Sequence, residues 1–521
     1  MNRSFSLIWG LCVALLLTIG TYGASHACCD QLEMAISKRV LKSSDASYHV
    51  EANKHWSSTA RSNPACIFVP ESSFDVSVAI KIFVDNNCQF AVRGGGHTTN
   101  PGWASTNSGV LISLSKLTAI EISDDTKSVV IGAGNRWGDV YAKIGEYNVT
   151  VAGGRVSGVG VSGFLLGGGL SFLMHSEGFS ADTVLSYEIV LASGEVATVT
   201  SKSNEDLFRA LKGGTGNFGI VTSFTLQTYP IGKIHAGYLF YAPDQTEELF
   251  SLMETYAREG VEIDPKTHLI QVFACTPSQN VDMAALYLFY PEPFTISPPV
   301  IKPFLDASVQ EVIQVKTMKD ATDEISAGLQ DGLRYDIHAY SVRADARLFK
   351  QLHDIWHSST MELNSTIPGW SSTMVYQSIS NSMIRASNKK GGNVLGLEPE
   401  DDPLMIISLL FTWIQPEDDD KVYAVIDKLM ATSTSIAESQ DRLGRYIYLN
   451  YAGPGQNPIE SYGPAQVHFL QKVKAKYDPN GVFERLSRGG FKIPSQCPNI
   501  EDGYLNMQTG SPDQRACFYF S

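Results

Sequence analysis

The strongest constraint on this chain is the stretch "FAVRGGGHTTN", Phe90 to Asn100, where an apolar run leads into an arginine, three consecutive glycines and a histidine. Glycine loses more backbone freedom on folding than any other residue, so a triplet implies bare backbone that has to approach something closely. Two further clusters, "AGGRVSGVGVSGFLLGGGLSF" and "KGGTGNFGIV", follow within the same β-rich region. Successive backbone N–H groups at strand ends form concave anion sites, and three such runs point to a phosphate- or pyrophosphate-bearing ligand. Gly158, Gly160 and Gly163 match the dinucleotide fingerprint, with Asp182 near its acidic position. That fingerprint has to leave a strand and open a helix. Here Gly167, Gly168 and Gly169 interrupt any helix, so a Rossmann reading fails. A diphosphate cofactor held outside a Rossmann fold remains. Chemistry alone leaves His97 as a general base or a buried structural histidine.

Around the loops, short β runs alternate with short helical runs. "ACIFVP" reads as a strand, "FDVSVAIKIFVDNN" as an amphipathic helix, and "LSYEIVLASGEVATVT" as a hairpin about Ser193-Gly194. "SNEDLFRALKGG" reads as a helix capped by Ser203. From about Ile231 the glycine runs mostly stop. "HLIQVFACTP", "AALYLFY", "RYDIHAYSV" and "PLMIISLLFTWIQ" alternate there with helices such as "TEELFSLMETYAREG", the pattern of an α+β domain around an antiparallel sheet.

The charge balance, −14, argues against nucleic acid or an anionic membrane as partner. "MNRSF", an apolar core and the small-residue end Ser25-His26-Ala27 read as a secretory signal peptide cleaved after Ala27, so a secreted protein is expected. Seven cysteines then remain, none with zinc-ligand spacing, and no metal site is expected. Cys28 and Cys29 are expected to pair with Cys66 and Cys88 in some order, and Cys497 with Cys517, leaving Cys275 as a buried free thiol. Asn148 and Asn364 head glycosylation acceptor sequons.

The ordered motifs "CIFVP…DVSVAI", "FAVRGGGH", "GVLISLSKL", "VGVSGFLLGGG", "EIVLASGEV", "EDLFRALKGGTGNFGIVTSFTL" and "YLNY…KYDPNGVF" resemble those of berberine-bridge-enzyme-like FAD-linked oxidases. These belong to the vanillyl-alcohol oxidase/p-cresol methylhydroxylase (PCMH) flavoprotein superfamily, and the secreted fungal members are the most similar. The resemblance implies a two-part, PCMH-type FAD-binding domain from residues 28–230 and 446–495, an inserted substrate domain at 231–445 with an antiparallel sheet flanked by helices, and a tail at 496–521. It implies FAD bonded through His97, with the backbone of Arg93, Gly94, Gly95 and Gly96 at the pyrophosphate. Gly160, Val161, Ser162, Gly163, Gly168, Gly219 and Val221 would line the cofactor. Relatives with a second flavin bond carry a cysteine where this chain has Val156, so a single attachment is expected. The family pattern Y-x-N-Y falls on Tyr448, Asn450 and Tyr451, which assigns Tyr448 as base and the other two as flavin contacts. A tyrosine titrates near ~10, so this role calls for a lowered pKa or a strongly polar neighbourhood. Val159 stands where a small side chain is associated with reaction with O2, and His175 and Trp413 are further candidates near the ring.

The expected activity is oxidation of a C–OH or related centre of a small molecule, a sugar or secondary-metabolite alcohol, with O2 reduced to H2O2 by a monomeric enzyme. A dehydrogenase or oxidative cyclase using the same flavin is the alternative within the enzyme class. A secreted flavin-containing binding protein is the alternative outside it.

Overall fold

The structure, a computed structural model, describes residues 27–363, 366–400 and 402–494. The signal-peptide reading, Asn364 and the Cys497–Cys517 pairing lie outside the described residues. The N-terminal half folds into two main sheets, beside a short pairing of Val149–Thr150 with Tyr229–Pro230. The first has spatial order Val40–Lys42, Cys66–Phe68, Val110–Ser113, Phe90–Arg93, with its last three strands parallel. Parallel strands need a crossover. The helix Ser73–Asn86 supplies it, opened by the Ser72 side chain accepting from the Asp75 amide and closed by Asn87 in the left-handed region. The second sheet is antiparallel, in the order Ile120–Ile122, Ser128–Gly132, Gly219–Gln227, Val184–Leu191, Val196–Thr200.

An eight-stranded antiparallel sheet follows, from Ile234–Tyr241 through to Leu443–Gly444 in the chain. Side chains alternate between its faces. Met405, Ile407, Leu409, Phe411 and Trp413 point to a core closed by the helices Thr246–Thr255, Ala346–Glu362 and Asp419–Ser439. Ile270, Tyr287, Phe289, Ala339 and Ile406 face the opposite way, into the core shared with the N-terminal sheets. The C-terminal segment returns to those sheets. The Phe90 amide donates to Leu486 O, and the Asn217 side chain donates to Phe491 O.

Two local expectations change, and two strands appear for which the sequence offered no reading. The helix Glu205–Ala210 starts from Asn204, not Ser203, whose amide is spent on Thr200 Oγ1 in the turn after the preceding strand. Gln310–Lys316 and Ser371–Ile379 are strands with no clean alternation in sequence; pairing with their neighbours decides them. Trp413 is not near the ring site: it is fully buried on the helix side, its indole N–H donating to Asp419.

Both expected N-terminal disulfides form, as Cys28–Cys88 and Cys29–Cys66, and Cys275 is free and buried. The first closes 60 residues. Its removal by Cys28→Ser with Cys88→Ser is expected to lower the unfolding free energy by about 3–4 kcal/mol. Urea unfolding measures this, and an unchanged midpoint would show that the bridge contributes nothing.

Candidate functional site

Two glycine loops meet back to back. A Cβ on Gly160 would lie 2.5 Å from Gly95 Cα and N, and one on Gly95 would fall inside 3.0 Å of Gly160. Gly94 faces Ser162 with the same lack of room, and Gly96 has φ +69°. The contact joins the loop after Phe90–Arg93 to the start of the short helix Val161–Leu166, so Gly95 is bare because backbone packs on backbone, and Gly94 is bare to make room for the Ser162 side chain. Among the described residues, no amide from Gly94 to Thr98 donates to a protein acceptor. Five unspent N–H groups in a run are the donor set an anion requires.

The Arg93 side chain takes no part in this surface. It is buried, paired with Glu51 at 2.5 Å and donating to Ser113 Oγ at 2.9 Å. The second cluster is cut to fit its own neighbours: Gly153 and Gly154 lie under the Trp137 indole, and Gly167 lies against Asn450. Gly163 faces open space and is exposed. Gly168, at φ +104°, touches Leu395 and Phe179. Gly219 and Val221 are buried in their strand, with Gly219 against Val190 O. Asp182 is buried too, accepting from the Phe179 amide and from Asn393, which removes the last support for a ribose contact there.

His97 stacks on Trp56 with ring centroids 4.2 Å apart, and Trp56 stacks on Tyr335 of the eight-stranded sheet at 3.9 Å. Part of the imidazole stays open. Desolvation lowers its pKa to about 4, helped by repulsion from the Arg136 guanidinium. Arg136 also donates to Gly95 O at 2.8 Å and so fixes the loop. At neutral pH, His97 is therefore uncharged.

Tyr448 is buried, and its hydroxyl accepts from Asn450 Nδ2 at 3.1 Å; the same amide group donates to Phe164 O at 3.0 Å. Burial, then the neighbouring Tyr451, raise the Tyr448 pKa above its ordinary value, while Asn450 and Arg155 act in the other direction. The protein by itself thus holds Tyr448 neutral, the opposite of the lowered pKa a base calls for. Tyr451, edge-on to Tyr448 at 4.8 Å, accepts from Arg155 Nη2 at 2.9 Å. Arg155 Nη1 donates to His268 Nε2 at 2.9 Å, and His175, hydrogen-bonded to Ser380, lies behind His268. Val159 is partly exposed, its carbonyl accepting from the Trp137 amide. Trp56, Arg136, Arg155 and His268 were not singled out from the sequence. Arg155, alone and basic inside a glycine run, carried the one local signal.

Residues 64–200 match a family model described as an FAD binding domain. Over 481 residues, 91% of this chain and 91% of the relative, the chain is 31% identical to the FAD-dependent monooxygenase drtC of Aspergillus calidoustus. The xylooligosaccharide oxidase of Myceliophthora thermophila superposes with a TM-score of 0.74 at 19% identity, over 90% of this chain and 99% of that one. The glucooligosaccharide oxidase of Acremonium strictum, described with a 6-S-cysteinyl, 8α-N1-histidyl FAD, superposes at 0.72 and 18% identity, over 90% and 98%. Both structures share the fold.

Two outcomes are expected. Gly160→Ala has no way to relax against the Gly95 backbone and should cost about 1–3 kcal/mol of stability, read from urea midpoints; a neutral change would mean that the loops part easily. His55, His97, His175 and His338 titrate at about 4, 4, 3 and 4, each lowered first by desolvation. Histidines depressed in the folded state contribute stability above their unfolded value near ~6.5 and lose it as pH falls. Asp336, raised to about 8 by burial, and Asp182, raised by the same cause, work the opposite way, against these four histidines and three more that burial also lowers, His235, His268 and His353. The melting temperature should therefore fall by roughly 5–10 °C between pH 7 and pH 4.5. A flat or rising profile in a thermal-shift series would contradict the assignment.

Proposed function

We propose that this chain, a member of the berberine-bridge-enzyme-like FAD-linked oxidoreductases, is an oxidase that carries FAD bonded once, through His97, and oxidises a C–OH centre of a small molecule. The observation that carries the reading is the run of unspent amides from Gly94 to Thr98, ending beside a neutral imidazole. FAD, when bound, takes a hydride from carbon and passes two electrons to O2, so that an alcohol and O2 become the corresponding carbonyl compound and hydrogen peroxide. The unspent amides would hold the pyrophosphate, and Gly163, Asn450 and Tyr451 offer partly exposed surface for the remainder of the cofactor. Val156 offers no sulfur, which leaves His97 as the one anchor.

Tyr448 would take the substrate hydroxyl proton, with Asn450 holding its oxygen in place. Because burial raises Tyr448, the fraction able to accept a proton grows with pH throughout the alkaline range. A second reading, a monooxygenase, is favoured by the likeness to the FAD-dependent monooxygenase of Aspergillus calidoustus. Secretion is supported by the two disulfides, which persist in oxidising compartments. Among the described residues no helix is long and apolar enough to cross a membrane.

The purified protein should be yellow and stay yellow through acid precipitation, whereas His97→Ala should release its flavin. A colourless protein would end this reading. On an oxidised substrate, kcat should rise with pH up to at least about 10, and Tyr448→Phe should lower it by roughly 10²–10⁴. A Phe variant with unchanged kcat would remove Tyr448 from the chemistry. Peroxide released in proportion to substrate separates the oxidase from the dehydrogenase.

A further inference from the structure

Arg155 is a buried cation without a counter-ion. It is 7% exposed, and among the described residues its guanidinium bonds only His268 Nε2 and the Tyr451 hydroxyl, with no Asp or Glu paired to it. Arg93, Arg258 and Arg334, by contrast, pair with Glu51, with Glu254 and Asp402, and with Asp419, while the more exposed Arg61, Arg136 and Arg209 meet carbonyl or amide oxygens. Leaving a charge out of water without a partner is costly, and proteins of ordinary stability avoid it unless something else completes the site.

His268 shows the same shortage of acceptors. A guanidinium can only donate, so His268 Nε2 accepts, and the ring proton of the neutral imidazole sits on Nδ1. That Nδ1 is buried and has no partner among the described residues, in a residue 1% exposed. Two adjacent groups therefore hold more donors than the protein supplies acceptors for. Behind them, 5.4 Å from the His268 ring, His175 walls a cavity of about 290 Å³ whose charged lining is Arg385, Lys389 and Lys390, with no carboxylate among its lining residues. Arg385 and Lys390 are themselves paired, with Glu262 and Glu177, so the uncompensated charge near Tyr448 is that of Arg155.

We propose that Arg155, with Tyr451 and His268, binds an organic oxyanion (a carboxylate, phenolate or enolate oxygen) of the substrate and holds it beside Tyr448. That the oxyanion belongs to a substrate rests on the FAD-dependent reading above. Charge-assisted hydrogen bonds from a planar guanidinium suit this chemistry better than a neutral sugar hydroxyl. The preferred substrates are then acidic or enolisable alcohols, in contrast to uncharged oligosaccharides.

The test titrates benzoate and acetate, with benzamide and acetamide as neutral counterparts, into the purified full chain by calorimetry, with the flavin spectrum as a second readout. The carboxylates should bind saturably and at least tenfold more tightly than the amides. Arg155→Met should remove that selectivity, Arg155→Lys should keep part of it, and amide binding should stay as it is. If Arg155→Met fails to fold, Tyr451→Phe should weaken the carboxylates alone, by about threefold to tenfold. Equal binding of carboxylates and amides, no binding of either, or an unchanged ratio in the variants overturns the proposal. So does a fall in flavin midpoint potential in Arg155→Met at constant selectivity, since the guanidinium would then serve the flavin. A colourless chain that still selects carboxylates sinks the FAD reading and leaves the anion site standing, whereas a yellow chain indifferent to carboxylates sinks the anion site alone.

Discussion

The contact between Gly95 and Gly160 is the interaction on which the site depends. It brings the loop that ends the parallel strands against the helix start that follows the Trp137–Gly145 helix, with no side chain between. A methyl group on either residue would separate them. Once the loops touch, the amides from Gly94 to Thr98 have no protein acceptor among the described residues, and His97 is placed against Trp56. The bareness that lets the loops meet also leaves the amides free for an anion.

A second set of contacts ties this seam to the eight-stranded sheet. Tyr335 reaches back to Trp56, and Arg155 reaches forward to His268. Tyr451 and Tyr448, contributed by the returning C-terminal part of the chain, close the same space from a third direction. A substrate at that seam would meet groups from three distant stretches of sequence. The pKa directions follow from this enclosure: desolvation leads at His97, His175 and Tyr448, keeping both histidines neutral and the phenol protonated. Enclosure favours the neutral form of each group whatever its type. For His97 that suits a bond to carbon. For Tyr448 it transfers the burden of activation to whatever completes the site.

Much of this was legible locally. The strands flanking the first glycine run, the helix Ser73–Asn86 and the long helix Asp419–Ser439 are written in apolar periodicity and in cap residues such as Ser72. The N-terminal disulfides were narrowed to a set of four cysteines, and the fold chose Cys28–Cys88 and Cys29–Cys66. The strand Gln310–Lys316 was not legible, because its residues are mostly polar and its conformation comes from pairing with Ile234–Tyr241.

The sequence by itself determined that bare backbone would gather near His97, that no cysteine would offer a second flavin bond at Val156, and that a Tyr448–Asn450–Tyr451 motif would be present. Composition and spacing carry such facts because each depends on what a single residue has or lacks. Only the tertiary structure decided that Gly95 and Gly160 are bare for one another, that the Arg93 side chain turns inward to Glu51, and that Arg155 is buried beside His268 with no counter-ion among the described residues. Those depend on which distant groups share one small volume, and burial, through the free energy of removing charge from water, sets what each of them can then do.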